Sequence, residues 1–278
     1  MGSNAEITNG NNSNNELRLK WDMFRKKWSN MYLYASQECI RGYLCIPNDI
    51  HSRISDLPIQ GKNTGNHKAV AFMVYVLSKL SDICHENMTI REIKSACGYR
   101  EDSKELNYLT KKNGVLEQAG LIETITAIDY SVTPDKKFES RKASYTSDNS
   151  GNFFKIPIMA ILICMFQPEL GASGLYIYSI IAKYCQFNRY RSKQIDGSSL
   201  IELTGIKKTD TIDKFISYLV QSNLIIKYSG KEKTLKTGRK HTSKNGYEGY
   251  EINSYRTVQK PSEMNPIALI SNYKSIKV

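Results

Sequence analysis

The chain has 278 residues, of which 40% are hydrophobic, so it can form one large domain or two ordinary ones around a sizeable core. Lys and Arg number 39 against 27 Asp and Glu, which leaves a net charge of +12. This balance favours a polyanionic partner, such as nucleic acid or an acidic membrane surface. The longest apolar run, from Ile156 to Phe166, contains Pro157 and is much shorter than the ~20 residues of a membrane-spanning helix. We therefore expect no membrane segment.

The cysteines are scattered along the chain and form no CxxC pair. Most of them lie in apolar neighbourhoods, as in ILICMF, which is typical of reduced thiols in a core. We therefore expect an intracellular protein, located in the reducing environment of the cytoplasm. The six positions are Cys39, Cys45, Cys84, Cys97, Cys164 and Cys185.

The N-terminal part divides into a polar segment and an amphipathic one. Residues 1–15 are rich in Asn and predict a disordered tail. Residues 16–40 carry large apolar side chains at helical spacing, which predicts an amphipathic helix. That helix either packs on its own domain or binds a partner or a second copy. Its apolar stripe comprises Leu17, Trp21, Phe24, Trp28 and Tyr32.

Residues 41–148 and 149–258 repeat one order of predicted elements. Each stretch opens on an aromatic residue shortly before Ile-Pro, in GYLCIP and in NFFKIP, and the residue before a proline is kept out of helical conformation. We expect an extended lead-in there, followed by a loop in the first stretch. An apolar helix comes next, HKAVAFMVYVLSKLSDIC in the first stretch and GLYIYSIIAKYCQFN in the second.

A short helix, a longer helix and a strand complete each stretch. The short helices are TIREIKSACG, capped by Thr89, and SSLIELTG, capped by Ser198 or Ser199. Gly98 and Gly205 end them. The third helices, DSKELNYLTKKNGVLEQAG and KKTDTIDKFISYLVQSN, run into strands that start with Leu-Ile. The recurrence indicates a duplicated unit.

Helix, short helix, turn, helix and hairpin is the element order of a winged helix. We therefore predict a mainly α fold with small β-hairpins, made of two tandem winged-helix domains at 41–148 and 149–258. The N-terminal helix precedes them and a C-terminal extension, residues 259–278, follows. In such a fold the third helix can enter the major groove of DNA while the hairpin touches the phosphate backbone.

The third helix of the second unit is amphipathic. Ile212, Phe215, Ile216 and Leu219 form its predicted core side. The other side carries short polar and basic residues that can reach base edges and phosphates, although such residues are also ordinary on a solvated face. The predicted DNA contacts of this helix and its entry turn are Lys207, Lys208, Thr211, Lys214 and Ser217.

The hairpin after this helix holds the densest positive charge. Between Lys227 and Lys244 seven basic residues face one acid, Glu232, and clustered cations gain from counterion release on binding phosphates. A solvated loop is the alternative for such a block. Its predicted DNA contacts are Lys231, Lys233, Lys236, Arg239, Lys240 and Lys244.

The first unit differs in charge. Between Asp129 and Asp148 four basic residues match four acids. Its third helix is predicted to bury Leu106, Leu109 and Leu116. We expect this unit to bind DNA weakly or to hold a dimer contact. Its exposed positions include the predicted DNA contacts Lys104, Asn107 and Lys111, together with Tyr108.

Catalytic and metal-binding patterns are missing from the sequence. The four histidines form no HxH or HExxH pair, and neither GxxxxGK[ST] nor GxGxxG occurs. We expect a protein that is not an enzyme and that uses no cofactor or metal.

The NFFKIP entry, the helix LYIYSIIAKYC, the short helix LIELTG, the helix end LVQSNLI and the basic hairpin together resemble the winged-helix replication initiators of plasmids and phages of low-GC bacteria. The resemblance covers about residues 150–256, and the repeat before it matches initiators with two tandem winged helices. It implies binding of repeated origin sequences in double-stranded DNA by the third helix and wing, and a homodimer contact in the first unit; the N-terminal helix is the other candidate for that contact. A transcriptional regulator on the same scaffold, or a protein-interaction module without DNA binding, are the alternatives.

Overall fold

The computed structural model describes residues 43–59, 64–83, 88–99, 103–128, 137–143, 153–167, 169–187, 192–194, 197–234 and 240–252. The predicted tail at 1–15, the N-terminal helix at 16–40 and the C-terminal extension at 259–278 lie outside the described residues.

Helices and short strands follow one another in the same order in both halves of the chain. The elements of the first half are β1 (Tyr43–Pro47), α1 (Ile50–Ser55), α2 (Thr64–Ile83), β2 (Met88–Thr89), α3 (Ile90–Ala96), α4 (Asn107–Thr110), α5 (Val115–Gln118), β3 (Ile122–Ile128) and β4 (Lys137–Ala143). Those of the second half are β5 (Phe153–Pro157), α6 (Ile158–Phe166), α7 (Gly171–Phe187), β6 (Ser192–Gln194), α8 (Gly197–Thr204), α9 (Thr209–Gln221), β7 (Ile225–Thr234) and β8 (Lys240–Ile252). The predicted mainly helical fold with small antiparallel sheets is confirmed.

The strands form three small antiparallel sheets. In each half the short strand between two helices pairs with the second strand of the hairpin, so the strand orders are β2-β4-β3 and β6-β8-β7. The third sheet joins the halves, because β1 pairs with β5. The two Ile-Pro segments are therefore partners of each other.

Alternation of side chains explains how this pair of strands packs. Leu44 and Ile46 of β1 are buried, as are Phe154 and Ile156 of β5, while the residues between them face solvent. Cys45 is one of these exposed residues, so the prediction of a core thiol is wrong at this position. Its apolar neighbours misled the prediction, since they lie on the opposite face of the strand.

Cys164 and Cys185 are buried as predicted, and Cys97 is partly buried. Burial raises the pKa of the Cys164 thiol well above its usual range, so this group stays a neutral thiol. Cys39 and Cys84 lie outside the described residues.

Two helices of the described structure were not predicted. Helix α1 replaces part of the loop predicted after Ile46-Pro47, and it buries Ile50, His51 and Ile54. Helix α6 starts directly after Pro157, and its residues from Ile158 to Met165 are all buried. A helix that is apolar on every side has no amphipathic period, so periodicity cannot reveal it.

The third helix of the first half is broken, which corrects the single helix predicted there. Helices α4 and α5 are one turn each, and the chain changes direction between them. Asn113 has a φ of 57°, and a Cβ atom on Gly114 would lie only 2.7 Å from the carbonyl oxygen of Lys111. Asn and Gly are the residues that tolerate such a backbone, so Asn113-Gly114 forms the link between α4, which ends at Thr110, and α5.

The predicted helix ends at Gly98 and Gly205 are confirmed, with φ values of 77° and 72°. Thr89 also caps α3 as predicted: its hydroxyl accepts a hydrogen bond from the Glu92 amide at 3.2 Å, and the Glu92 carboxylate accepts one from the Thr89 amide at 2.8 Å. The predicted cap at Ser198 or Ser199 is wrong, because α8 already begins at Gly197.

The two halves share one hydrophobic core. Helix α2 packs against α7, and every residue from Ala69 to Leu77 is completely buried. The largest buried side chains come from both halves and include Phe72, Tyr75, Tyr176 and Tyr178. A helix with no exposed side along two turns needs neighbours all round, and the second half supplies part of them.

His51 lies where these parts meet. Its ring stacks on Phe72 of α2 with centroids 5.4 Å apart and on Phe154 of β5 at 5.5 Å. Its Nε2 lies 2.8 Å from the hydroxyl of Ser179 on α7, and that hydroxyl already donates to the Tyr176 carbonyl oxygen at 2.7 Å. The single Ser179 proton is thus engaged, so Nε2 of His51 is the donor in this hydrogen bond.

Burial and, to a smaller extent, the positive charge of Lys183 lower the pKa of His51 from 6.5 to about 3. Both effects disfavour the charged imidazolium in the folded chain. Protonation therefore favours the unfolded chain over the folded one.

Lowering the pH should consequently reduce the free energy of unfolding, and part of this loss should depend on His51. Below pH 6.5 the unfolded chain binds a proton that the folded chain does not, so stability declines as the pH falls toward about 3. The decline from this group should reach about 2 kcal/mol between pH 7.5 and 5, as measured by urea unfolding.

His51→Phe is the matched control, because it keeps a stacked ring and leaves the Ser179 hydrogen bond to Tyr176 intact. The part of the stability loss at low pH that His51 causes should be absent in this variant, although the other histidines still titrate. Equal pH profiles for the two proteins would contradict the assignment.

Candidate nucleic-acid interface

Helix α9 has the predicted amphipathic arrangement. Ile212, Ile216 and Leu219 are at most 2% exposed, and Phe215 is half-buried against the same core. In the turn before the helix, the buried Thr204 hydroxyl donates to the Leu200 carbonyl oxygen at 2.6 Å and accepts from the Ile206 amide at 3.2 Å. The core and this turn together fix which side of α9 faces outward.

The outward side of α9 carries the predicted DNA contacts of the second unit. The side chains of Lys207, Lys208, Lys214 and Ser217 are exposed, and Thr211 is half-buried at the flank. The structure thus brings all five predicted residues of this segment to the accessible side of the helix and its entry turn.

Several of these groups already make contacts within the protein. The Lys214 ammonium lies 5.9 Å from the centre of the Tyr218 ring, and the Ser217 hydroxyl donates to the Asp213 carbonyl oxygen at 2.8 Å. The Asp213 carboxylate lies 3.9 Å from the Lys227 ammonium at the base of the hairpin. This ion pair is partly exposed and contributes little stability, but it joins the helix to β7.

The basic segment forms an antiparallel hairpin, as predicted. Strands β7 and β8 pair from Ile225 opposite Ile252 out to Thr234 opposite Lys240, with an irregularity between Gly230 and Glu232. Lys231 lies at this irregularity, and Lys233 pairs with His241. The predicted contact Lys244 lies in β8, whereas Lys236 and Arg239 lie outside the described residues.

The predicted contacts of the first unit differ in their exposure. Lys104 and Lys111 are exposed as predicted. Asn107 was predicted to be exposed but is half-buried, and its Oδ1 accepts a hydrogen bond from the Lys94 ammonium at 2.8 Å. Lys94 is only 6% exposed and also donates to the Ser103 carbonyl oxygen at 2.6 Å. Asn107 thus satisfies a buried charge, which local spacing could not show because Lys94 lies 13 residues earlier, in a different helix.

Tyr108 is likewise half-buried and not exposed as predicted, because its hydroxyl is hydrogen-bonded to Nδ1 of His67 on α2. The neighbouring Asn66 side chain donates to the Tyr99 hydroxyl at 2.6 Å. The start of α2 therefore holds the short third-helix segment of the first unit in place.

The same start of α2 touches the second unit. A Cβ atom on Gly65 would lie 2.9 Å from the carbonyl carbon and oxygen of Gly205, in the turn between α8 and α9. Only a residue without a side chain permits two backbones to approach so closely. Sequence reasoning identified Gly205 as a helix end but missed Gly65, because its partner is far away in the chain.

Within the part of the chain that the structure describes, no group of three or more His, Cys, Asp or Glu residues is arranged to hold a metal ion. Among the described helices, none is long and apolar enough to span a bilayer. Comparison of the chain with protein-family models, curated proteins and solved structures gives no match.

Asn107 should matter for stability more than for binding. Asn107→Ala removes one of the acceptors of the buried Lys94 ammonium, which should lower the free energy of unfolding by about 1.5 to 3 kcal/mol. Thermal and urea unfolding measure the loss. Lys104→Ala, at an exposed position three residues earlier, is the control and should change stability by less than about 0.5 kcal/mol. Equal stability of the two variants would show that the Lys94 contact is unimportant.

Proposed function

We propose that the protein binds double-stranded DNA sequence-specifically through two tandem winged helices, and that it is a replication initiator of a plasmid or phage. The observation that carries the proposal is the order of elements in the second half: helix α7, strand β6, helices α8 and α9, then a hairpin whose second strand lies between β6 and β7. A winged helix has this arrangement of a helix-turn-helix beside a hairpin.

Helix α9 suits the role of the recognition helix. It follows a tight turn after a short helix, its apolar side is buried, and its opposite side is accessible along the whole helix. An α-helix of this kind fits the major groove, where lysine, threonine and serine side chains can reach base edges.

The hairpin suits contacts to the phosphate backbone. Seven Lys or Arg residues lie between Lys227 and Lys244, against one acid. Each phosphate neutralised by such a cation releases counterions, which strengthens binding to any sequence. In the first unit the corresponding region has balanced charge, so we assign the stronger DNA binding to the second unit.

The replication role is proposed from the resemblance of residues 150–256 to initiators. Direct repeats within or beside the gene, recovered by genome-wide pull-down of bound DNA, would support initiation; an operator upstream of another operon would support a transcriptional regulator. The proposal includes action in the cytoplasm at the nucleoid, without catalysis, cofactor or metal. It also includes a homodimer contact through the first unit or through residues 16–40.

The hairpin assignment predicts a change in salt dependence. Replacing Lys236, Arg239 and Lys240 together by Ala should weaken binding to all duplexes similarly, because phosphate contacts carry no sequence information. The slope of log affinity against log salt should become shallower by about 3, as measured by fluorescence anisotropy at several salt concentrations.

The matched control is the triple Ala variant of Lys136, Lys137 and Arg141 in the hairpin region of the first unit. It removes the same charge from the balanced region and should change the slope by less. Unchanged affinity in the first variant would overturn the hairpin assignment. Absence of any salt-dependent duplex binding by the unmodified protein would favour a protein-interaction module.

The helix assignment predicts a loss of discrimination. Thr211→Ala combined with Lys214→Ala should reduce the ratio of specific to random-duplex affinity by about tenfold, while random-duplex binding changes less. Lys112→Ala combined with Lys155→Ala, two exposed cations that are not among the predicted DNA contacts, serves as the control and should leave the ratio nearly unchanged. If specific and random duplexes weaken alike in the α9 variant, these residues contact phosphate.

A further inference from the structure

The outward side of α9 contains one acidic group that the fold leaves unused. Lys214 lies over Tyr218, Ser217 donates to the backbone, and Asp213 faces Lys227. The carboxylate of Asp210, by contrast, is exposed and makes no hydrogen bond or ion pair with another residue that the structure describes. An unpaired negative charge on this side would be repelled by a polyanion unless it meets a donor.

Asp210 lies at the N-terminal end of α9. It is the second residue of the helix, separated only by Thr209 from the exposed Lys207 and Lys208 of the entry turn. In helix-turn-helix proteins the N-terminal residues of the second helix contact base edges. A carboxylate at this position beside two cations can approach a base edge while the lysines contact phosphates.

The chemistry of a carboxylate selects one base. An ionised carboxylate only accepts hydrogen bonds, so it is repelled by the O6 and N7 acceptors of guanine and by O4 of thymine. Adenine offers its N6 amino group, but the N7 acceptor lies beside it. Cytosine presents the N4 amino donor with no acceptor next to it on its own major-groove edge.

We infer that Asp210 is a specificity-determining residue that accepts a hydrogen bond from the N4 amino group of a cytosine in the major groove of the target site. The inference rests on the proposed function, since it requires α9 to enter the groove. Its effect is on discrimination more than on affinity, because the same charge weakens binding to every duplex that lacks cytosine at that position.

The test is selection of binding sites from a pool of randomised duplexes, followed by affinity measurement on single-base variants of the selected site. The unmodified protein should select cytosine at one position, with a preference of about tenfold over the other bases. Asp210→Ala should lose the preference at that position alone and bind random duplexes more tightly. Asp210→Asn should move the preference toward adenine, because an amide can pair with both N6 and N7.

Two variants control for charge and position. Asp213→Asn removes the carboxylate one turn further along α9, and Glu202→Gln removes an exposed carboxylate from α8. Neither should change the base preference at the cytosine position. Thermal unfolding of all variants distinguishes base recognition by Asp210 from stabilisation of the start of α9. Loss of a purely stabilising role would lower the Tm without altering the selected sequence.

The outcomes distinguish the inference from the function on which it rests. Selection of a defined site whose base preferences are the same in Asp210→Ala would overturn the role of Asp210 while leaving sequence-specific binding intact. Loss of the same preference in Asp213→Asn would also overturn it. Failure of the unmodified protein to select any sequence would overturn both proposals.

Discussion

Burial of the apolar helices α2 and α7 against each other is the constraint on which the rest of the described structure depends. Helix α2 has no exposed side chain from Ala69 to Leu77, and α7 is nearly as deeply buried from Leu175 to Ala182. Neither half of the chain surrounds its own helix completely, so each supplies part of the other's environment. The pairing of β1 with β5 joins the halves at the edge of this core.

The shared core also determines where the turn before α9 lies. Because α2 packs against α7, its first residues reach the second unit, and Gly65 meets the backbone of Gly205. Two residues later His67 contacts Tyr108 of the first unit. One turn of α2 thus contacts segments of both halves, through the close backbone approach at Gly65 and the partly buried hydrogen bond of His67.

Local signals predicted the parts of the fold that depend on neighbouring residues. The positive φ of Gly98 and Gly205, the cap at Thr89 and the buried side of α9 follow from residue type and helical period. The β1–β5 pair was not predicted, because the partner of each strand lies in the other half of the chain. Helix α6 was missed for a different reason, since uniform apolarity carries no period. At the candidate site the exposure of Asn107 could not be predicted either, because it depends on a buried lysine that lies outside its local sequence.

The two halves share an order of elements but differ in the contacts made by the residues after the turn. In the first half, the side chains after the turn, Asn107 and Tyr108, satisfy buried partners, and the third helix is interrupted at Asn113. In the second half, the corresponding helix is continuous and its polar side faces outward. Charge differs in the same sense, because the excess of cations lies in the β7–β8 hairpin while α9 itself has one lysine, Lys214, beside Asp210 and Asp213. A reading helix made only of cations would bind any duplex, since phosphates outnumber every specific contact. Under the proposed function, this separation of charge assigns affinity to the hairpin and discrimination among bases to α9.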